Sequence, residues 1–270
     1  MVRLSSRDVY RVRHLFDSEH LELVIDAVIA GNSPARVWAD DVVAPRTALV
    51  WDGKHSIYFA GALVQVPAWS ALLHGEILPT AQGTLKAYVT AGAAETVFAG
   101  YALQRRDRVL YRGGQLAVPS WQSRLAAGFQ ISSINDRFAE LEGLNNVADV
   151  IAEIESGWNS VVDFRRTGFG FAAHDDETIV CWCTAEYVSD GRCGVGIETV
   201  EAYRGRGFAT LTASAFVEHC VERAVIPHWD AWTSNQPSVA VAEKVGFRKA
   251  ETYSIFVGEF AADRPNPSSV

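Results

Sequence analysis

Between a strand-like run ending near Val200 and a helix-like run beginning near Gly205, the chain reads Tyr203-Arg204-Gly205-Arg206-Gly207-Phe208-Ala209. No other stretch constrains the fold as tightly. Glycines one residue apart permit backbone angles closed to other residues and leave room beside the main chain. The first amides of a helix have no partner within it, point outward, and carry the positive end of the helix dipole. A glycine turn that leads from a strand into a helix is therefore an anion seat suited to a pyrophosphate. Arg204 and Arg206 add charge-assisted bonds to that seat.

The sequence around the turn supplies the elements it needs. Phe169 to Ala173, Thr178 to Val188 and Arg192 to Val200 read as strands, separated by His174-Asp175-Asp176-Glu177 and Ser189-Asp190-Gly191. A helix is expected from about Gly205 to Arg223, with Phe208, Leu211 and Ala215 on its apolar face. Pro227 to Trp232 reads as a strand, Pro237 to Val245 as a helix stopped by Gly246, and Tyr253 to Phe260 as a final strand. Ala148 to Ile154 is a helix with Val147, Val150, Ile151 and Ile154 on one side. The result is an α+β domain: a mixed, mostly antiparallel sheet with flanking helices.

The N-terminal half is an α/β domain without a comparable motif. A helix is expected over Leu21 to Ile29, strands over Ala48 to Trp51 and Ser56 to Val64 around an Asp52-Gly53 hairpin, a helix over Trp69 to Leu73, and short strands at Leu85 to Val89 and Thr96 to Ala99. This half is expected to shape the acceptor pocket or to serve a structural role, and a further reading makes it a repeat of the C-terminal fold with its motif lost. Weakening periodicity near Ser132 to Asn135 divides the chain into residues 1–134, 135–262 and a flexible tail, 263–270.

Composition excludes several classes. The formal net charge is −8, and the short Arg105-Arg106-Asp107-Arg108 and Arg165-Arg166 clusters read as solvated surface, not as a nucleic-acid footprint. No apolar run approaches the ~20 residues of a membrane helix. The arginine-rich N-terminus has no apolar block after it, so it does not read as a secretory signal. Cys181, Cys183, Cys193 and Cys220 lack Cys-x-x-Cys spacing and no His-Glu-x-x-His occurs, so reduced thiols in a cytoplasmic protein without a metal are expected. His55, His74 and His219 read as structural.

Among phosphate-binding motifs, a P-loop requires Lys-Ser/Thr after its last glycine, where Phe208 stands. A dinucleotide fingerprint requires Gly or Ala where Thr210 stands, and β-α-β units where a meander stands. A third pattern fits. Ile197-x-Thr199-x-Glu201-x-Tyr203-Arg204-Gly205-x-Gly207-x-Ala209, followed by Asn235-x-x-Ser238 and Ala242-Glu243-Lys244-Val245-Gly246-Phe247, resembles the acyl-CoA motif of the GNAT N-acetyltransferase superfamily. The resemblance covers about the last 120 residues. Cys181 to Tyr187, Pro227-His228-Trp229-Asp230 and Ser238-Val239-Ala240 further resemble the zwittermicin A resistance-type branch.

The resemblance implies acetyl-CoA as co-substrate. Backbone groups of Ile197 and Thr199 would pair with the pantetheine arm. Arg204, Gly205, Arg206, Gly207, Phe208, Ala209 and Thr210 would hold the pyrophosphate, with Asn235 and Ser238 nearby. Many members place a proton-donating tyrosine where this chain has Ala242; Tyr253 and Tyr187 are the substitutes considered. A general base must take the amine's proton, and Glu198, Glu186 and Asp230 are the candidates, with His228 and His219 behind them. The expected activity is transfer of acetyl from acetyl-CoA to a primary amine of a small molecule by direct attack. The vacant tyrosine position motivates an alternative, a non-catalytic acyl-CoA sensor or assembly module. Nothing in the sequence specifies an oligomeric state.

Overall fold

The computed structural model describes residues 1–260 apart from Leu63, Gln82, Gly114 and Asp190, and describes Ala91 by its backbone alone. The expected tail, 263–270, and Asp190 of the second expected turn lie outside the described residues. Two compact units form: Met1–Arg108 together with the chain from Tyr253 onward, and Val109–Thr252.

The same order of elements occurs twice. The first pass comprises β1 (Val2–Arg3), α1 (Glu19–Ile29), β2 (Arg36–Ala39), β3 (Thr47–Trp51), β4 (Ser56–Gly61), α2 (Val66–Leu72), β5 (Gly83–Tyr88), α3 (Ala91–Val97) and β6 (Gln104–Arg112). The second comprises β7 (Gln130–Ser133), α4 (Phe138–Leu141), α5 (Val147–Gly157), α6 (Val161–Thr167), β8 (Gly170–His174), β9 (Ile179–Ser189), β10 (Arg192–Thr199), α7 (Phe208–Glu222), β11 (Ile226–Trp232), α8 (Gln236–Lys244) and β12 (Arg248–Phe260). In each pass four strands form an antiparallel ladder, a helix follows, and the next strand returns parallel to the fourth: β4 with β5, β10 with β11.

The closing strands are exchanged. In the first unit, Phe256–Phe260 of β12 pair antiparallel with β5. In the second, the neighbour of β11 is β6, and Val109–Arg112 belong to that unit. The N-terminal half therefore repeats the connectivity of the C-terminal half. The units divide at Arg108/Val109 and Thr252/Tyr253, whereas the sequence reading divides the chain at 134/135. That position directly follows β7, whose four residues pair with β8 inside the second unit.

Local chemistry explains most elements. Asp52 Oδ1 accepts the amides of Lys54, His55 and Ser56 at 2.8, 2.9 and 3.0 Å, and Gly53 takes φ +81°, closing the β3–β4 hairpin. Ile179–Ala185 of β9 is buried on both faces, which accounts for a run that is apolar except at Thr184. Residues Thr96 to Ala99 do not form the expected strand: Val97 ends α3, which begins where the Thr90 side chain accepts the Ala93 amide and continues through alanines. The Arg105–Arg108 cluster lies on β6: Arg105, Arg106 and Asp107 are exposed, as expected of surface charge, and Arg108 is buried. Helix α7 is buried on more sides than the expected single face, from Leu211 through Val217.

Candidate active site

Strands β10 and β11 pair through Arg192↔Ile226, Cys193↔Pro227 and Gly194↔His228, and no further. Beyond that point they separate. A cavity of about 750 Å³ opens in the gap, bounded by Ile197–Thr199 of β10, the turn before α7, the first turn of α7, Trp229 of β11, and α8. The Val200 amide donates to Val180 O on β9. Backbone groups alternate sides along a strand, so those of Ile197 and Thr199 point away from β9, toward the gap. A ligand carrying amides finds strand-like partners there.

The far end of the gap is the start of α7. Gly205 and Gly207 adopt φ +75° and +88°, and Gly207 is the residue capping α7. A Cβ at either would meet nothing within 4 Å, so within the protein the demand for glycine comes from the left-handed backbone. The Leu211 amide donates to Gly207 O, which leaves the amides of Phe208, Ala209 and Thr210 without partners inside the helix. Arg204 folds back onto β10: its Nε donates to Thr199 O at 3.1 Å, and its Nη2 lies 4.0 Å from Glu198 Oε1. Arg206 turns the other way, its guanidinium over the rings of Tyr203, Phe208 and Phe129 at 5.1, 5.5 and 5.8 Å. Of the phosphate-turn residues named from sequence, Arg206 is the one outside the cavity lining.

Asn235 and Ser238 both line the cavity, and both are engaged by the fold. Asn235 Oδ1 accepts the Ser238 amide at 3.3 Å, capping α8, and Ser238 Oγ accepts from Trp229 Nε1 at 3.0 Å. Six lining residues are not among the site residues expected from the sequence: Tyr203, Trp229, Pro237, Ala240, Val241 and Lys244. Tyr203 belongs to the motif and stands in the turn before α7. Ala242, at the usual tyrosine position, is fully buried. Tyr187 sits at a bulge of β9 with φ +48°, and Tyr253 stacks on His20 at 3.8 Å in the first unit. Neither lines the cavity.

The carboxylates divide. Glu198 lines the cavity and is exposed. Glu186 is not in the lining, but its Oε1 lies against β10 at Gly196. Asp230 is not in the lining either, and strand alternation places it on the face opposite Trp229 and Ala231. All four thiols are free and buried. Burial pushes Cys181 up to about 11 and raises Cys183 and Cys193 well above the ordinary thiol range. His219 is wedged against Phe169 and Phe171, and burial lowers its pKa. Among the described residues no group of three or more His, Cys, Asp and Glu could hold a metal, and no helix is long and apolar enough to cross a membrane.

Among the described residues, the first unit does not repeat this arrangement. Its parallel pairing ends at Tyr58↔Tyr88, and the helix that follows β4 is capped by Gln65 at φ +55° with Pro67 in its first turn. Proline has no amide hydrogen to offer an anion. Tyr58 stacks on Tyr88 at 4.5 Å, and Tyr88 lies 6.3 Å from Tyr253.

A model of the GNAT acetyltransferase family matches residues 13–256, most of the chain. The chain belongs to the GNAT acetyltransferase family. This GNAT protein is 38% identical over 105 residues to a Bacillus subtilis (strain 168) protein described as the uncharacterized N-acetyltransferase YdfB. That match spans 39% of this chain and 40% of the relative. Among solved structures, a GCN5-related N-acetyltransferase-like protein from Streptococcus suis 89/1591 has the same fold, with a TM-score of 0.70 at 21% identity, covering 95% of this chain and 99% of that one. A tandem GNAT protein from the clavulanic acid biosynthesis pathway follows at TM-score 0.58 and 14% identity, covering 98% and 99%. The doubled element order agrees with that tandem likeness.

Proposed function

We propose that this GNAT protein transfers an acetyl group from acetyl-CoA to a primary amine of a small molecule, and that the second unit does so. One observation carries the reading: β10 and β11 separate past Gly194, and the gap between them ends on the open amides of α7. That arrangement fits a long ligand with amides along its arm and phosphates at its end.

Ile197 and Thr199 would hold the amide-bearing arm by backbone bonds. Gly205, Gly207 and the amides of Phe208, Ala209 and Thr210 would hold the pyrophosphate, where the helix dipole favours negative charge. Arg204 would join them after leaving Thr199 O. Arg206, stacked on its aromatic cluster, would act as a nearby positive charge. Asn235 and Ser238 would set the α8 wall of the seat through the bonds they already make. The bound co-substrate supplies a thioester carbonyl that an amine can attack.

The attack is direct. A cysteine intermediate requires a thiolate, and burial favours the protonated thiol at Cys181, Cys183 and Cys193. Free thiols also suit the reducing cytoplasm. The test is incubation with acetyl-CoA and a panel of small primary amines while free thiol is followed. Amine-dependent thiol release is expected. Tight CoA binding with no release on any amine would favour the sensor reading.

A further inference from the structure

Gly196 stands in the middle of β10, where glycine weakens a strand and marks a close approach. Its backbone does not require glycine, since it is not among the residues with positive φ. The space beside it is occupied by side-chain ends, which a methyl group would displace. A Cβ at Gly196 would lie 2.6 Å from Glu186 Oε1, 3.0 Å from Thr184 Oγ1 and 3.1 Å from Glu153 Oε1. Polar atoms from β9 and α5 therefore converge on the bare side of one residue.

The position of that residue matters. Gly194 is the last partner of β11, and Ile197 is the first residue of β10 to line the cavity. Gly196 lies between them, at the apex of the gap. Across the ladder, Thr184 is its direct partner and Glu186 faces Gly194, so Glu186 leans along the sheet to reach Gly196. Only a residue without a side chain lets it lie there. Glu198, by contrast, is exposed and lies beside the Arg204 guanidinium.

We infer that Gly196 is a positioning residue for acetyl transfer: its missing side chain seats the Glu186 carboxylate at the apex of the gap and makes Glu186, not Glu198, the acceptor of the amine's proton. This rests on the proposed function. As the amine nitrogen bonds to the acetyl carbon, its proton passes to Glu186. The carbon–sulfur bond breaks, and its electron pair leaves with the sulfur.

The variants that test this are Gly196→Ala, Glu186→Gln, and Gly196→Ala combined with Glu186→Asp. CoA affinity by calorimetry should stay within about twofold in all of them, while kcat falls at least about tenfold in Gly196→Ala and Glu186→Gln. The shorter aspartate draws the carboxylate back from the new methyl, so the double variant should recover about threefold or more over Gly196→Ala. The acid limb of the kcat/KM pH profile should disappear in Glu186→Gln. Independently of turnover, NMR titration of the Glu186 side-chain carboxyl should move by about half a unit or more in Gly196→Ala. Full kcat in Gly196→Ala, an acid limb retained in Glu186→Gln, or an unmoved Glu186 titration would each overturn the inference. A wild type that acetylates no amine would sink the proposed function alone, and the Glu186 titration would still decide the seating.

Discussion

Gly207 and Gly53 form a matched pair for testing the phosphate seat. Both are left-handed, at φ +88° and +81°, and neither has any atom within 4 Å of a would-be Cβ. Alanine at either position incurs backbone strain of about 1–2 kcal/mol and no steric clash. With a denaturant slope of about 2–3 kcal/mol per molar, the urea midpoint of the affected unit should drop by roughly 0.3–1 M in both variants. They differ in what lies beside them. Gly53 closes a hairpin in the first unit, while Gly207 caps α7 at the cavity. A charge-assisted bond from an amide is worth about 1.5–3 kcal/mol, and tenfold in affinity is about 1.4 kcal/mol. Gly207→Ala, which disturbs the first amides of α7, should therefore weaken CoA binding about tenfold or more, and Gly53→Ala should not change it. Calorimetric titration of both variants against wild type reads this directly. If Gly207→Ala loses stability but keeps CoA affinity within twofold, the start of α7 is not the phosphate seat.

Other expectations follow from the same geometry. Arg204→Ala should weaken CoA binding by about tenfold and flatten its dependence on salt, because one phosphate-directed charge is gone; titration at two ionic strengths measures both. Cys181 sets an alkaline limit on stability. Its folded pKa of about 11 lies above the ordinary 9.0, so the folded state holds the proton more tightly. Its contribution is complete below pH 9.0, falls between 9.0 and about 11 as only the unfolded thiol ionises, and amounts to about 2–3 kcal/mol. Thermal melts at pH 8 and 10.5 should show this loss, and Cys181→Ala should show less of it. Trp229→Phe removes the Nε1–Ser238 Oγ bond between β11 and α8 and should cost about 1 kcal/mol in urea unfolding, with a smaller loss of CoA affinity.

The glycine turn that opens α7 was legible because its signal is local: a strand, two glycines and a helix start lie within a dozen residues, and each has a distinct pattern. The elements of the second unit were legible for the same reason. What escaped depends on pairing across long separations. β6 carries four consecutive charged residues, and only pairing with strands distant in sequence makes a strand of it. The exchange of β6 and β12 leaves no local mark on either strand. Thr96 sits in an alanine-rich helix too short for its periodicity to outweigh β-propensity. Gly196 is a different case. It looks like any strand glycine until the side chains of β9 and α5, ten and more residues away, are seen to need its empty side.

The most direct test of the account is a single turnover with acetyl-CoA labelled in its acetyl carbons, stopped at intervals and read by mass spectrometry. The label should pass from CoA to the amine, with one product formed per free CoA and none on the protein. Label on Cys181, Cys183, Cys193 or Cys220 before it reaches the amine, or CoA released without labelled amine, would contradict it.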